Sequence, residues 1–280
     1  MKVIVAEHAG VCYGVERALK LAGEAAERGV AVHTLGPLIH NPQAVAALRE
    51  RGVVVADDVD DVAGGTVVIR SHGVDPAVIA HAHERDLEVI DATCPFVSTA
   101  QRHAADLARH GYSVVIVGEA EHPEVEGILA YAGGVALIVQ RASDLPPKLP
   151  SRRVGVVVQT TQSASRLEEV TAALLPRVNE LRIFNTICSA TAKRQKAADD
   201  LARRVDVMVV VGGRNSGNTT RLAEICRGVN ARVHHVETAD ELLPEWFTGA
   251  DVVGVTAGAS TPDEQIRGVI QAIEAIGSDD

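Results

Sequence analysis

Aromatic residues are scarce: the 280-residue chain holds three Phe, three Tyr and one Trp. That argues against a stacking platform for bases or a flavin. No apolar run approaches the ~18 residues of a membrane-spanning helix, so no membrane partner is expected. The opening Met1-Lys2-Val3-Ile4-Val5-Ala6-Glu7-His8 has a short apolar stretch with an acid close behind. It reads as a first strand and not as a signal peptide, so a cytoplasmic location is the expectation. Basic charge is in deficit, with 27 Lys and Arg against 37 Asp and Glu and a net charge of −10. Nucleic acid and anionic membrane surfaces are therefore disfavoured. A small anion is not, because backbone donors and histidines can hold phosphate inside an acidic protein. The glycine stretch Val211-Gly212-Gly213 has neither the dinucleotide fingerprint nor a Walker lysine. Four cysteines without a secretory segment do not suggest a disulfide framework.

What is present is a regular alternation. Apolar β-branched runs alternate with alanine-rich amphipathic segments, the mark of an α/β protein. Strands are predicted near 2–6, 31–35, 52–55, 66–70, 87–91, 113–117, 135–139, 153–158, 181–185, 206–211, 231–236 and 251–255. Helices are predicted near 14–28, 43–51, 76–85, 96–110, 124–132, 163–176, 190–204, 217–228 and 262–276. The order of elements repeats three times, and the last repeat lacks its final strand. The N-terminal strand supplies it if the arrangement closes on itself. The expected fold is three similar small α/β units in a pseudo-threefold trefoil around a centre. The units are 13–94, 95–188 and 189–280, the third completed by 1–12.

Three cysteines share one context. Cys12, Cys94 and Cys188 each follow a predicted strand and open a predicted helix, one per repeat. The N–H groups and dipole of a helix N-terminus favour a thiolate. Cys226 sits within an apolar helix and reads as a small buried hydrophobe. Ligands in open α/β sheets lie beyond the carboxyl ends of the strands. The loops there carry His40-Asn41-Pro42, Ser71-His72-Gly73, His122-Pro123-Glu124, Gln159-Thr160-Thr161, Asn215-Ser216-Gly217-Asn218 and Ala259-Ser260-Thr261. Three units facing one another give a pocket with three thiolates, three histidines, several hydroxyls and one carboxylate. His81, His83, His103 and His110 are expected on exposed helix faces.

Three thiolates with an open position fit zinc or an iron–sulfur cluster. Structural zinc usually uses Cys-x-x-Cys knuckles, and none occurs. Ligands about ninety residues apart enclose something larger, and a [4Fe–4S] cluster with three protein thiolates keeps one iron open to substrate. The histidines, hydroxyls and amides suit a phosphate or diphosphate tail. Glu124 suits proton delivery.

With these residues the chain resembles the 4-hydroxy-3-methylbut-2-enyl diphosphate reductase family of the methylerythritol phosphate route to isoprenoids. The matching segments are His8-Ala9-Gly10-Val11-Cys12-Tyr13-Gly14-Val15, Arg70-Ser71-His72-Gly73-Val74, Asp91-Ala92-Thr93-Cys94-Pro95, His122-Pro123-Glu124-Val125-Glu126-Gly127, Gln159-Thr160-Thr161, Asn185-Thr186-Ile187-Cys188, Asn215-Ser216-Gly217-Asn218 and Thr256-Ala257-Gly258-Ala259-Ser260. The resemblance implies Cys12, Cys94 and Cys188 as ligands of a [4Fe–4S] cluster. It implies His40, His72, His122, Ser216, Gly217, Asn218 and Ser260 as diphosphate-binding residues, with Gly217 where some members have a second serine. It implies Glu124 as proton source and Thr160 beside the substrate hydroxyl. The expected reaction is reductive removal of that hydroxyl to give isopentenyl or dimethylallyl diphosphate, with ferredoxin or flavodoxin as electron donor. The competing readings are a non-redox iron–sulfur dehydratase and a cluster-based redox sensor.

Overall fold

A computed structural model describes residues 1–278. Its strands are β1 (Lys2–Val5), β2 (Val32–Leu35), β3 (Val53–Ala56), β4 (Thr66–Ile69), β5 (Glu88–Asp91), β6 (Ser113–Val117), β7 (Leu137–Val139), β8 (Arg153–Val158), β9 (Glu180–Ile183), β10 (Val207–Val211), β11 (Val233–Val236) and β12 (Val252–Ala257). Its α-helices are α1 (Tyr13–Ala26), α2 (Pro42–Glu50), α3 (Pro76–Glu84), α4 (Pro95–Arg109), α5 (Pro123–Tyr131), α6 (Ala164–Leu174), α7 (Ser189–Ala202), α8 (Gly217–Arg227) and α9 (Asp263–Ile276). Every predicted strand and helix is found, with boundaries shifted by a few residues.

The strands form three four-stranded sheets, in the orders β3-β2-β4-β5, β7-β6-β8-β9 and β11-β10-β12-β1. All pairings are parallel. The three orders are one topology repeated, and β1 is the fourth strand of the last sheet, with Val5 opposite Val255. Parallel strands need crossover connections, which explains the strict alternation with helices.

The chain divides into two compact units. One comprises Met1–Val15, His40–Ala44 and Ser189–Asp280; the other comprises Glu16–Ile39 and Val45–Cys188. The first holds the sheet containing β1, the second the other two sheets. In the first, all five residues of β10 are fully buried, so the strand reads as an unbroken apolar run and not as an alternation. Burial of such side chains stabilises the fold by roughly 1.5–3 kcal/mol each. Two central strands carry a glycine where a helix packs closely. A Cβ on Gly155 of β8 would lie 2.4 Å from Leu107 of α4, and one on Gly254 of β12 would lie 3.1 Å from Leu201 of α7.

Two elements depart from expectation. The sixth helix ends at Leu174 and tightens into a 3-10 turn over Leu175–Arg177, where Pro176 has no N–H to continue the α ladder. Strand β9 stops at Ile183 although the Phe184 N–H still donates to Val156 O at 2.9 Å. The Phe184 ring stacks on His103, which is half-buried rather than on an exposed helix face as expected.

Candidate active site

One hydrogen bond occurs three times. The N–H of Cys94 donates to Ser71 O at 2.9 Å, that of Cys188 to Thr160 O at 3.0 Å, and that of Cys12 to Ala259 O at 3.0 Å. Each acceptor belongs to the loop after the third strand of the same topological repeat. Each cysteine is thereby seated beside the polar loop of its own sheet, immediately before α4, α7 or α1. All three are partly buried and none is in a disulfide. Cys226 differs: it is fully buried in α8, and burial pushes its thiol up to about 12. A partly buried thiol at the start of a helix, the setting of Cys12, Cys94 and Cys188, each taken alone, suits a thiophilic metal; that of Cys226 does not.

In the second unit, α5 begins on His122-Pro123-Glu124. His122 is the N-cap, and its Nδ1 accepts the Glu124 N–H at 3.1 Å. In the neutral ring that arrangement leaves the proton on Nε2, where it can be donated to an anion. The His72 ring meets His122 edge-on, with centroids 5.5 Å apart. Glu124 is 1% exposed, and its carboxylate accepts the Thr160 N–H at 2.6 Å and the Thr160 hydroxyl at 2.9 Å. Burial pushes this carboxyl up to about 7, against the two Thr160 bonds, which pull it down. A carboxyl that titrates near neutrality suits proton transfer.

In the first unit, His40 lies where β12 ends. The Ser260 hydroxyl donates to His40 O at 3.0 Å, and a Cβ on Gly213 would lie 3.2 Å from that same carbonyl. Ser216 is the N-cap of α8, its Oγ accepting the Thr219 N–H at 3.4 Å. Gly217 is the first residue of that helix. Asn218 is 4% exposed, and both atoms of its side-chain amide are buried without a hydrogen-bond partner among the described residues. Leaving such a group unsatisfied costs about 1–3 kcal/mol, so the amide points to a ligand that satisfies it. A helix N-terminus suits an anion. Arg214 does not serve that role through its side chain, which pairs with Glu241.

The structure thus groups His72, His122, Glu124 and Thr160 in one unit, and His40, Ser216, Gly217, Asn218 and Ser260 in the other. Two polar residues stand out beyond the sequence reading. Asn41 is 1% exposed, its Oδ1 capping α2 through the Ala44 N–H at 2.9 Å and its Nδ2 donating to Gln265 at 3.2 Å. Gln159 is fully buried, its Oε1 accepting the Glu119 N–H at 3.0 Å. Both lie in motifs the sequence reading quoted, next to His40 and Thr160. Among the described residues no helix is long and apolar enough to cross a membrane.

The chain is 52% identical over 280 residues to the 4-hydroxy-3-methylbut-2-enyl diphosphate reductase of Geobacter sp. strain M21, covering 100% of this chain and 99% of that protein. It is 51% identical over 275 residues to the protein of the same name from Geobacter sulfurreducens, covering 98% and 97%. A solved structure of (E)-4-hydroxy-3-methyl-but-2-enyl diphosphate reductase, described as the terminal enzyme of the non-mevalonate pathway, shares 45% identity at a TM-score of 0.72, covering 98% of this chain and 100% of that one. The Plasmodium falciparum reductase structure shares the fold, with a TM-score of 0.91, 24% identity, and coverage of 96% and 87%. Residues 3–274 match the family model described as LytB protein, and the chain belongs to the LytB family.

Proposed function

We propose that this chain is an oxidoreductase that removes the allylic hydroxyl of 4-hydroxy-3-methylbut-2-enyl diphosphate and yields isopentenyl and dimethylallyl diphosphate. Two electrons and two protons enter, and the hydroxyl leaves as water. The full-length identity to reductases of that name supports the substrate and the reaction. LytB enzymes are generally iron–sulfur proteins. The finer reading is a [4Fe–4S] cluster held by Cys12, Cys94 and Cys188. The observation that carries it is the cysteine N–H bond repeated in all three sheets. The units 13–94, 95–188 and 189–280 with 1–12 would each contribute one thiolate, in a trefoil about the cluster. When bound, such a cluster supplies electrons and an open Lewis-acidic iron.

The protein's own groups do the rest. His40, His72, His122, Ser216, Asn218 and Ser260, with the Gly217 N–H, hold the diphosphate, mainly through neutral donors. Glu124 holds a proton near neutrality and delivers it to the departing hydroxyl, with Thr160 fixing the carboxyl and standing beside the substrate oxygen. Ferredoxin or flavodoxin is the electron donor, in the cytoplasm. The test is product formation by anaerobically purified protein with and without reductant. Reductant-dependent isopentenyl and dimethylallyl diphosphate is the expected result. Turnover without net electron uptake would favour a dehydratase, and no turnover with an intact cluster would favour a sensor.

A further inference from the structure

Two arginines make the same contact at two different cysteines. Arg17, on α1 behind Cys12, donates to Asp91 O at 3.1 Å and Thr93 O at 3.2 Å, in the segment that leads into Cys94. Arg194, on α7 behind Cys188, donates to His8 O and Gly10 O, both at 2.8 Å, in the segment that leads into Cys12. In each case the guanidinium spans two alternate carbonyls just ahead of a thiol. In both, two separate nitrogens of the planar guanidinium fork reach the two carbonyls; lysine has three donors, but all on one freely rotating nitrogen, and does not reproduce that fixed span. Arg194 is only 3% exposed although its helix segment is otherwise polar. The turn it holds needs holding: His8 has φ 63° and Gly10 φ 96°, and the first is a conformation that residues with a Cβ seldom adopt. The remaining cysteine has a counterpart of another chemistry. His103, on α4 behind Cys94, stacks on Phe184 ahead of Cys188, with centroids 3.9 Å apart and planes at 12°. The helix behind each cysteine therefore braces the segment ahead of a different one.

We propose that Arg17 and Arg194 are positioning residues for the metal centre, fixing Cys94 and Cys12 respectively, so that each thiol's seating depends on the helix behind another. The inference rests on the reading of these cysteines as cluster ligands. Its test compares the parent with Arg17→Lys, Arg194→Lys and a control, Arg203→Lys, whose side chain pairs with Asp199 on the surface. The full-length proteins are purified without oxygen and assayed for iron and sulfide, for iron release to a chelator, and for which cysteine iodoacetamide alkylates first by peptide mass spectrometry. Losing one carbonyl contact should speed iron release about tenfold. Arg194→Lys should expose Cys12 first and Arg17→Lys Cys94 first, while Arg203→Lys behaves as the parent. The parental alkylation order in both variants would overturn the proposal. So would equal acceleration at all three cysteines with a lowered Tm, which marks general packing. A parent without iron would instead sink the cluster reading, and the alkylation order in the same four apoproteins would still decide the bracing.

Discussion

Glu124 takes two hydrogen bonds from one residue, Thr160, at 2.6 Å from its N–H and 2.9 Å from its hydroxyl. The two residues are far apart in sequence, and the carboxyl they fix is sealed from solvent. Desolvation favours the neutral acid and the two Thr160 bonds favour the anion. The balance leaves a carboxyl that can give up a proton near neutral pH.

Replacing Glu124 by Gln keeps shape and hydrogen bonding but removes the proton. The expected loss in kcat is ~10²–10⁴-fold, with KM little changed. The parent's kcat should fall as pH rises through about 7, because the active form is protonated. That limb should be absent from the variant's residual rate. Stability follows the same proton. The folded carboxyl titrates at about 7 and an ordinary glutamate at 4.5, so its contribution is complete below 4.5 and is lost as pH rises through about 7. A Tm series across that range should fall less in Glu124→Gln than in the parent. Equal kcat in the two proteins would show that Glu124 only favours the start of α5.

Thr160→Val removes the hydroxyl and keeps the N–H bond. The anion loses one of its two supports, so the pH limb should move upward in the variant. Turnover should drop about tenfold, and Thr160→Ser should restore both limb and rate. Paired pH–rate profiles of the three proteins decide this; an unmoved limb in Thr160→Val would remove the hydroxyl from the proton path.

Much of this was legible in the sequence, for physical reasons. The parallel sheets bury their central strands on both faces, so Val207-Met208-Val209-Val210-Val211 reads as a strand without ambiguity. Crossover helices then fix the order of elements, and the strand-to-helix cysteines follow from it. The 3-10 turns at Val59–Asp61 and Ala142–Asp144 were not legible. Three residues carry no periodicity, and their signal is a local acid, Asp61 or Asp144, reaching back to backbone N–H groups. Nor was the burial of Glu124 visible, since an acid in the first helical turn is ordinarily a solvated one. Arg194 was hidden in Thr191-Ala192-Lys193-Arg194-Gln195-Lys196, a polar stretch without an apolar stripe to mark its inner side. What buries it is a loop at the other end of the chain.

The cysteines should separate cleanly. Cys12→Ser, Cys94→Ser and Cys188→Ser should each lose most iron, sulfide and visible absorption after anaerobic purification. Cys226→Ser should retain all three. Native Cys226 should also resist alkylation at pH 8, because its thiol is fully buried and pushed up to about 12. Iron and sulfide analysis with peptide mapping checks both, and cluster loss in Cys226→Ser would break the assignment.

Asn218 should reveal a conflict between stability and binding. Both atoms of its amide are buried without a partner among the described residues, at the first turn of α8. An unsatisfied buried polar group costs the unliganded fold about 1–3 kcal/mol. Asn218→Ala removes that cost and leaves a small void, so the unliganded variant should melt no lower than the parent in a direct calorimetric comparison. Its KM for the diphosphate substrate should nevertheless rise about tenfold or more, because one hydrogen bond to a charged group is worth ~1.5–3 kcal/mol. Added substrate or inorganic diphosphate should then raise the parent's Tm more than the variant's at equal concentration, through mass action on the folded state. The two readouts move in opposite directions only if the amide faces a ligand. A variant that melts much lower, with an unchanged response to diphosphate, would mean that Asn218 serves packing instead.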